Sequence, residues 1–287
     1  LGKEILMKTG IVILNYNDYE NTIKMVHQIK DYKCLSKIVI VDNHSSDESV
    51  EKIKLLTNKR IVLLESKDNK GYASGNNLGL KYLEKETECE LAIISNPDVE
   101  VEESVIEELI LDMKKNEDIS FLGPKVLEYG RITKGWKLPS YFVELLSTVN
   151  FFNRFSYKFQ KYPDDYYQER LCKVEVLHGC FFMARLKDFK KIGYFDPNTF
   201  LYYEENIIGH KAKDKGLFSY VDTTLSVNHF GSKTVQKNLR KVRKYKAIKK
   251  SMFYYEKEYN HLNPIGMFFL KVIYYISLFF AYLTFWI

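Results

Sequence analysis

The chain has 287 residues, 46% hydrophobic and 28% charged, a composition that suits one large α/β domain or two small ones and excludes a disordered segment. The net charge of +6 is modest, but the basic residues are unevenly placed. Cys34, Cys89, Cys172 and Cys180 form no C-x-x-C pair and have no His at zinc-ligand spacing, which excludes a disulfide framework and a structural zinc and reads as reduced thiols in the cytosol.

The opening residues, LGKEILM, are charged and lack an apolar segment, so they do not read as a secretory signal. Next, TGIVILNYN (9–17) is a buried apolar run ending in polar residues, followed by a helix over 19–31 and a strand over 37–43. The pattern predicts a helix near 47–58, a strand over 61–65, a helix over about 74–86, a strand over 91–95, a helix over 102–115 and a strand over 119–123. Short β-rich runs separated by amphipathic helices predict right-handed βαβ crossovers and a mostly parallel sheet covered on both faces. Ligands of such sheets bind beyond the carboxyl ends of the strands. Those ends carry Asn15 and Asn17, Asp42 and Asn43, and Asn96 and Asp98.

In VDNHSSDES, Ser46 or Asp47 is explained by capping the following helix. Asp42 and Asn43 precede that turn, where a carboxylate accepts hydrogen bonds from a base or ribose. The stretch NKGYASGNNLG (69–79) places Gly71, Gly75 and Gly79 four residues apart among Asn69, Asn76 and Asn77, and neither common phosphate-loop pattern can be placed on it. In SNPD, Pro97 fixes a turn that presents Asp98 outward. A lone Asp there is ordinary turn chemistry, whereas beside a divalent cation it holds Mg²⁺ or Mn²⁺ against a diphosphate. Glu100, Glu102 and Glu103 favour the positive end of the next helix.

The segment 130–175 is rich in aromatics, which serve sugar stacking or membrane contact equally. From 174 to 216 the pattern runs from a strand through Gly179 and a short helix to the turn YFDPNTF, then a helix opening with Glu204 and Glu205. Two carboxylates in a first turn favour the helix dipole. Phe200, Tyr202 and Tyr203 precede them, and a carboxylate shielded by aromatics has the raised pKa a general base needs. A lone His229 after a strand is structural by default.

From Lys233 to Lys250 the row KTVQKNLRKVRKYKAIKK holds nine Lys or Arg and no acid, which implies an anionic neighbour, nucleic acid or an acidic membrane face. PIGMFFLKVIYYISLFFAYLTFWI then follows with one charge, Lys271, and sixteen uncharged residues from Val272. That run is somewhat short for a spanning helix and reads as a membrane-seated one on the cytoplasmic side. Its apolar residues also favour self-association.

Taken in order, VDNHSSD, NKGYASGNNLG, SNPD, HGCFFMAR…FKKIGYFDPNTFLYYEEN and HFGSKT resemble bacterial family 2 glycosyltransferases of the GT-A fold, nearest to the rhamnosyltransferase branch of capsule and O-antigen enzymes. The resemblance covers roughly residues 9–235. It implies a nucleotide-sugar half over 9–125, an acceptor-binding and catalytic half over 126–232, and a basic helix with an apolar tail over 233–287. Asn69, Gly71, Ala73, Gly75, Asn77 and Gly79 match the family's block beside the nucleotide, whose small residues let the helix pack close to the sheet. The donor-nucleotide set implied is Asn15, Asn17, Asp42, Asn43, Asn69, Gly71, Asn77 and Asn96. Asp98 takes the place of the last Asp of the D-x-D motif, with Asn96 in place of the first, and His229 matches a late histidine that supplies a further ligand for Mg²⁺ or Mn²⁺. Glu205, with Glu204 beside it, falls where the family carries its catalytic base, implying inverting transfer from a uridine or thymidine diphosphate sugar to a polyprenyl-diphosphate-linked glycan.

The chain departs from E-D-x-D-L-x-x-R at Ile207 and Lys211. Three rivals carry other expectations. A nucleotidyltransferase would need a Gly-rich loop with Arg and Lys after the first strand, which LNYNDYENT lacks. A silent nucleotide-binding scaffold would be indifferent to Glu205, and a nucleic-acid binder would rest on residues 233–250 alone.

Overall fold

The computed structural model describes residues 7–149, 153–231 and 241–285. Its centre is a ten-stranded sheet. Four parallel strands form one side: β1 (Thr9–Asn15), β2 (Lys37–Asp42), β3 (Ile61–Glu65) and β4 (Leu91–Ser95), in the order β3-β2-β1-β4. These strands and the helices between them, α1 (Tyr19–Ile29), α2 (Ser49–Lys54) and α3 (Tyr72–Glu86), fall within a few residues of the sequence expectation. So does α4 (Glu103–Lys115).

Beyond β4 the expectation of a mostly parallel sheet needs correction, because the sheet is mixed. β9 (Phe181–Arg185) runs antiparallel to both β4 and β6 (Ile119–Glu128). β10 (Phe218–His229) is parallel to β6 and antiparallel to the short β5 (Val99–Glu100) and β8 (Leu171–Val174). β7 (Arg131–Thr133) folds back on β6 through Tyr129 and Gly130, both with positive φ as a tight hairpin turn requires. The division at residues 125/126 falls inside β6, and one continuous sheet joins the two halves.

Alternation along the strands fills two cores. Ile11, Ile13, Ile38 and Ile40 face α1 and α4 residues such as Met25, Ile29, Leu109 and Ile110. Val12, Val39 and Val41 face the other way, toward Leu80 and Leu83 of α3 and the aromatic cluster of Phe121, Phe182, Phe189 and Phe195. The glycines of α3 set its distance from the sheet: a Cβ on Gly75 would lie 2.4 Å from Leu14 Cδ1, and one on Gly79 2.4 Å from Val12 Cγ1. Small residues therefore bring this helix onto β1, as the family block implies. Arg185, buried at the end of β9, donates to the carbonyls of Ile119 (2.8 Å) and Asn116 (2.9 Å) beyond α4 and so locks that helix to the sheet.

Three further helices precede the C-terminal pair: α5 (Tyr141–Thr148), α6 (Asn153–Gln160) and α7 (Leu186–Lys191); α8 (Glu204–Asp214) opens on the two glutamates. The described part of the basic run forms α9 (Lys241–Glu258), and residues 233–240 lie outside the described residues. The apolar segment forms α10 (Pro264–Phe285). One side of α10 packs inward, with Leu270 buried and Tyr274 against Tyr245 and Phe253 of α9. The other side presents Ile265, Phe268, Tyr275, Ile276 and Phe279 to the outside. The helix is thus two-sided, not apolar toward one common surrounding. No helix among the described residues is long and apolar enough to cross a membrane.

Candidate active site

The carboxyl ends of β1, β2 and β4 meet the start of α3, as the topology requires. Asp42 is buried there, and its carboxylate accepts hydrogen bonds from the Ser45 backbone N–H (2.9 Å), the Ser45 hydroxyl (2.7 Å) and Asn15 Nδ2 (2.8 Å). Asn15 in turn accepts from the Thr22 hydroxyl, and Asn17, with φ 51°, accepts from the Ser46 N–H. Ser45 therefore braces the strand-end carboxylate instead of capping α2, while Asp47 accepts from the Ser49 N–H. A carboxylate has about four lone-pair sites, so Asp42 keeps capacity for one more donor.

Asn43 Nδ2 donates to Asn69 Oδ1 (3.0 Å) and to the Gly71 carbonyl (3.2 Å), while its own Oδ1 is buried with no partner. Asn76, which lies outside the expected nucleotide set, shows the same state at its Oδ1. Unpaired buried carbonyls of this kind await a donor. Gly71 adopts φ +94°, and a Cβ there would lie 2.1 Å from the Phe200 carbonyl oxygen. It is the contact that docks the 194–203 turn onto α3. Asn77 behaves differently from the expectation: its Nδ2 donates to the Phe195 carbonyl (2.9 Å) and its Oδ1 accepts from the Phe195 N–H (3.0 Å). Both ends of this carboxamide are spent on holding that same turn, which makes it a backbone clamp.

Asn96 is held by its backbone N–H to the Cys180 carbonyl, and the turn after it brings Asp98 to the end of β10. Asp98 is buried, and its Oδ1 lies 3.3 Å from His229 Nε2. The other ring nitrogen, Nδ1, lies 2.8 Å from Glu128 Oε1. These contacts place the imidazole between two carboxylates, and beyond them the Asp98 oxygens and His229 Nδ1 have no other partner among the described residues. Burial would lower the His229 pKa, but the carboxylates of Asp98 and Glu128 outweigh it and raise it. Oxygen and nitrogen 3.3 Å apart have the spacing of adjacent ligands on a cation with bonds of ~2.1 Å, so this pair fits Mg²⁺ or Mn²⁺.

Cys180, at the start of β9, is buried among Asp98, Glu128 and Glu205; burial and these charges push its thiol well above the ordinary value. Glu205 lies against Gly179. A Cβ on Gly179 would stand 2.5 Å from Glu205 Oε1. Burial raises the Glu205 pKa, and burial together with the Glu205 charge pushes Glu204 up to about 8. The pair therefore favours one proton held on Glu204 and one charge on Glu205. Tyr202 and Tyr203, just before them, both take left-handed φ near +72°, a costly conformation for an aromatic residue and one that clusters at working sites.

A cleft of about 450 Å³ opens beside this cluster, lined by Glu128, Trp136, His178, Tyr202, Asn206, Tyr245 and Lys249 among others. Trp136 donates its indole N–H to Asn206 Oδ1 (2.9 Å) and stands edge-on to His178. Lys249 donates to the Ser147 and Thr148 hydroxyls, and burial lowers its pKa to about 8. α9 therefore supplies a wall of the cleft. Glu205 borders instead a water-sized void of about 10 Å³ with Phe121, Leu177 and Phe182. At the two departures from the family pattern, Ile207 is a core residue and Lys211 Nζ donates to the Tyr194 carbonyl (2.6 Å).

A nucleotide-type floor, a strand-end Asp–His pair and an acidic helix start on one mixed sheet define the GT-A class of glycosyltransferase folds. GalNAc-T7, crystallised with UDP, GalNAc and Mn²⁺, shares the fold at TM-score 0.62 with 18% identity, over 80% of this chain and 45% of that one. TarS 1-349 of S. aureus matches at 0.57, with 12% identity over 93% of this chain and 70% of that one. The mannosyltransferase PcManGT of Pyrobaculum calidifontis, in complex with GDP-Man and Mn²⁺, matches at 0.54, with 12% identity over 94% and 74%. The family model described as Glycosyl transferase family 2 covers residues 10–193, and the chain belongs to that family. The low-salt glycan biosynthesis hexosyltransferase Agl10 of Haloferax volcanii is 26% identical over 208 residues, 72% of this chain. The match spans 62% of that relative's length.

Three site residues escaped the sequence reading: Asn76, Glu128 and His178. His178 alternates with Cys180 at the entry to a strand, a spacing that puts both side chains on one face, but nothing local pairs them with His229 fifty residues on.

Proposed function

We propose that the chain moves a sugar, rhamnose or a hexose, from a uridine or thymidine diphosphate donor to a lipid-linked glycan, with inversion, during bacterial surface polysaccharide synthesis. The observation that carries this reading is the strand-end pair of Asp98 and His229, 3.3 Å apart, together with the Glu204–Glu205 pair at the start of α8, whose carboxyls burial pushes up. In it Asp98 and His229 hold Mg²⁺ or Mn²⁺, which when bound supplies charge stabilisation for the departing diphosphate. Asn15, Asn17, Asp42, Asn43, Asn69, Gly71 and Asn96 form the floor for the nucleotide, with the spare lone pair of Asp42 and the free carbonyls of Asn43 and Asn76 as its contacts. Glu205 takes the proton of the attacking hydroxyl while Glu204 keeps its own. The aromatic-walled cleft of about 450 Å³ is the acceptor site in this scheme, its size and its Trp136, Tyr202 and Tyr245 walls suiting stacked sugar rings.

Agl10, a hexosyltransferase, and PcManGT, in complex with GDP-Man, support a nucleoside-diphosphate sugar as the donor. The outward apolar side of α10 and the basic α9 support a seat on the anionic cytoplasmic face of the membrane, close to a polyprenyl-linked acceptor, with a second copy of the chain as the alternative cover for that side. Thermal-shift measurements with nucleoside diphosphates, with and without Mn²⁺, test the donor reading. One nucleotide class should stabilise the folded protein only when the cation is present. A folded protein indifferent to every nucleotide with cation would overturn it.

A further inference from the structure

We infer that His178 is a third protein ligand for the cation of the Asp98–His229 pair, with the Cys180 thiol within reach as a fourth, so that the site selects transition-metal cations over Mg²⁺. The inference rests on the cation reading above and goes beyond it in naming two ligands and a preference. One ligand atom each from His178, Cys180 and His229 lies within 4.8 Å of the other two, and the two imidazole rings meet at a centroid distance of 5.8 Å. Small side-chain adjustments close such a set on one ion with bonds of ~2.0–2.3 Å. The Asp98 carboxylate, 3.3 Å from His229 Nε2, adjoins this cluster through His229.

The surroundings give His178 no alternative task. Among the described residues it makes no hydrogen bond to a carboxylate, and a neutral imidazole offers one lone pair. Its Nδ1 accepts one long bond, 3.2 Å, from the Cys180 backbone N–H. Ligation through Nε2 would move the imidazole proton to Nδ1 and release that bond, leaving the ring held by Trp136 on its edge. Cys180 would bind as the thiolate, releasing its proton on binding.

The consequence is selectivity. Mg²⁺ takes oxygen ligands and keeps its waters, whereas imidazole and thiolate favour Mn²⁺, Co²⁺ and Zn²⁺ in rising order. With Asn96 where the family carries an Asp, the chain offers one carboxylate and up to three softer ligands.

The test uses the full chain, stripped of metal by chelation, and calorimetric titration with CoCl₂, MnCl₂ and MgCl₂ in the absence of nucleotide. Co²⁺ should bind at least about tenfold tighter than Mg²⁺, and His178→Ala should lose at least about tenfold in Co²⁺ affinity while Mg²⁺ affinity stays within about twofold. His178→Gln serves the same purpose if the alanine variant does not fold. Near-ultraviolet absorption of the Co²⁺ form should fall in Cys180→Ser. Equal Co²⁺ affinity in wild type and His178 variants overturns the inference, as does equal affinity of the wild type for Co²⁺ and Mg²⁺. If His229→Ala also leaves Co²⁺ affinity untouched, the cation site itself fails, and the two failures are thereby told apart.

Discussion

Replacing Glu204 by Gln should stabilise the protein above pH 8 and destabilise it slightly at pH 5. Glu204 is 4% exposed, its Oε1 has no hydrogen-bond partner, and burial followed by the Glu205 charge moves its carboxyl from an ordinary 4.5 to about 8. Below pH 4.5 folded and unfolded chains both hold the proton, so ionisation contributes nothing. Between 4.5 and about 8 the unfolded chain has released the proton and the folded chain keeps it, so stability falls as pH rises. Above 8 the whole penalty is present. At ~1.4 kcal/mol per pH unit over roughly three to four units, it reaches about 5 kcal/mol at most. The amide of Gln has the same shape without the charge, but its NH₂ needs a partner, which costs ~1–3 kcal/mol. The net gain at pH 9 is therefore about 2–4 kcal/mol, or roughly 5–10 °C in Tm for a chain of this size. Thermal unfolding of both proteins at pH 5, 7 and 9 is the assay, with the variant slightly less stable at pH 5 and the difference changing sign and growing as pH rises. Parallel curves with one constant offset would refute the assignment of the held proton to Glu204.

Three other substitutions probe separate joints of the site. Glu205→Gln should abolish sugar transfer while nucleotide affinity, read by calorimetry, stays within about twofold; a variant with normal turnover removes Glu205 as the base. Gly179→Ala puts a methyl 2.5 Å from Glu205 Oε1, so turnover should drop by about 10²-fold for a stability cost of only ~1–3 kcal/mol. Undiminished turnover there would mean that the carboxylate position is immaterial. Gly71→Ala combines a left-handed backbone at φ +94° with a contact 2.1 Å from the Phe200 carbonyl, and should cost about 2–5 kcal/mol in urea unfolding; a loss below about 1 kcal/mol would show that the 194–203 turn is not anchored there.

The parallel half of the fold was legible because its signals are local. Apolar runs of five to seven residues separated by amphipathic helices set β1 to β4 and α1 to α4 within a few residues. Strand direction in the second half was not legible, since FFMAR is a continuous apolar run and carries no mark of which neighbour it pairs with or which way it points. β10 hides its length differently: its pairing with β6 breaks between Asp222 and Ser226, where TTL interrupts the apolar pattern. Asn77 was misread because a carboxamide suits a base and a backbone equally, and only tertiary contact with Phe195 decides between them.

The acids at the strand ends pose one electrostatic problem with two partial solutions. Asp98, Glu128 and Glu205 all act on the buried Cys180 thiol, and Glu204 adjoins Glu205. So many carboxylates in a small buried volume cannot all be charged without large cost. One solution is protonation, which falls on Glu204, whose carboxyl burial and the Glu205 charge push up to about 8. The other, in the cation reading proposed above, would be an ion held by Asp98 and His229, which removes the need for a proton on that side and leaves the charge of Glu205 as the residual one. A bound cation therefore does two things by the same Coulomb argument: it stabilises the fold in proportion to its occupancy, and it lowers the cost of displacing the Cys180 proton. Under the proposed function, an ionised Glu205 together with a neutralised diphosphate is the charge distribution that in-line sugar transfer requires.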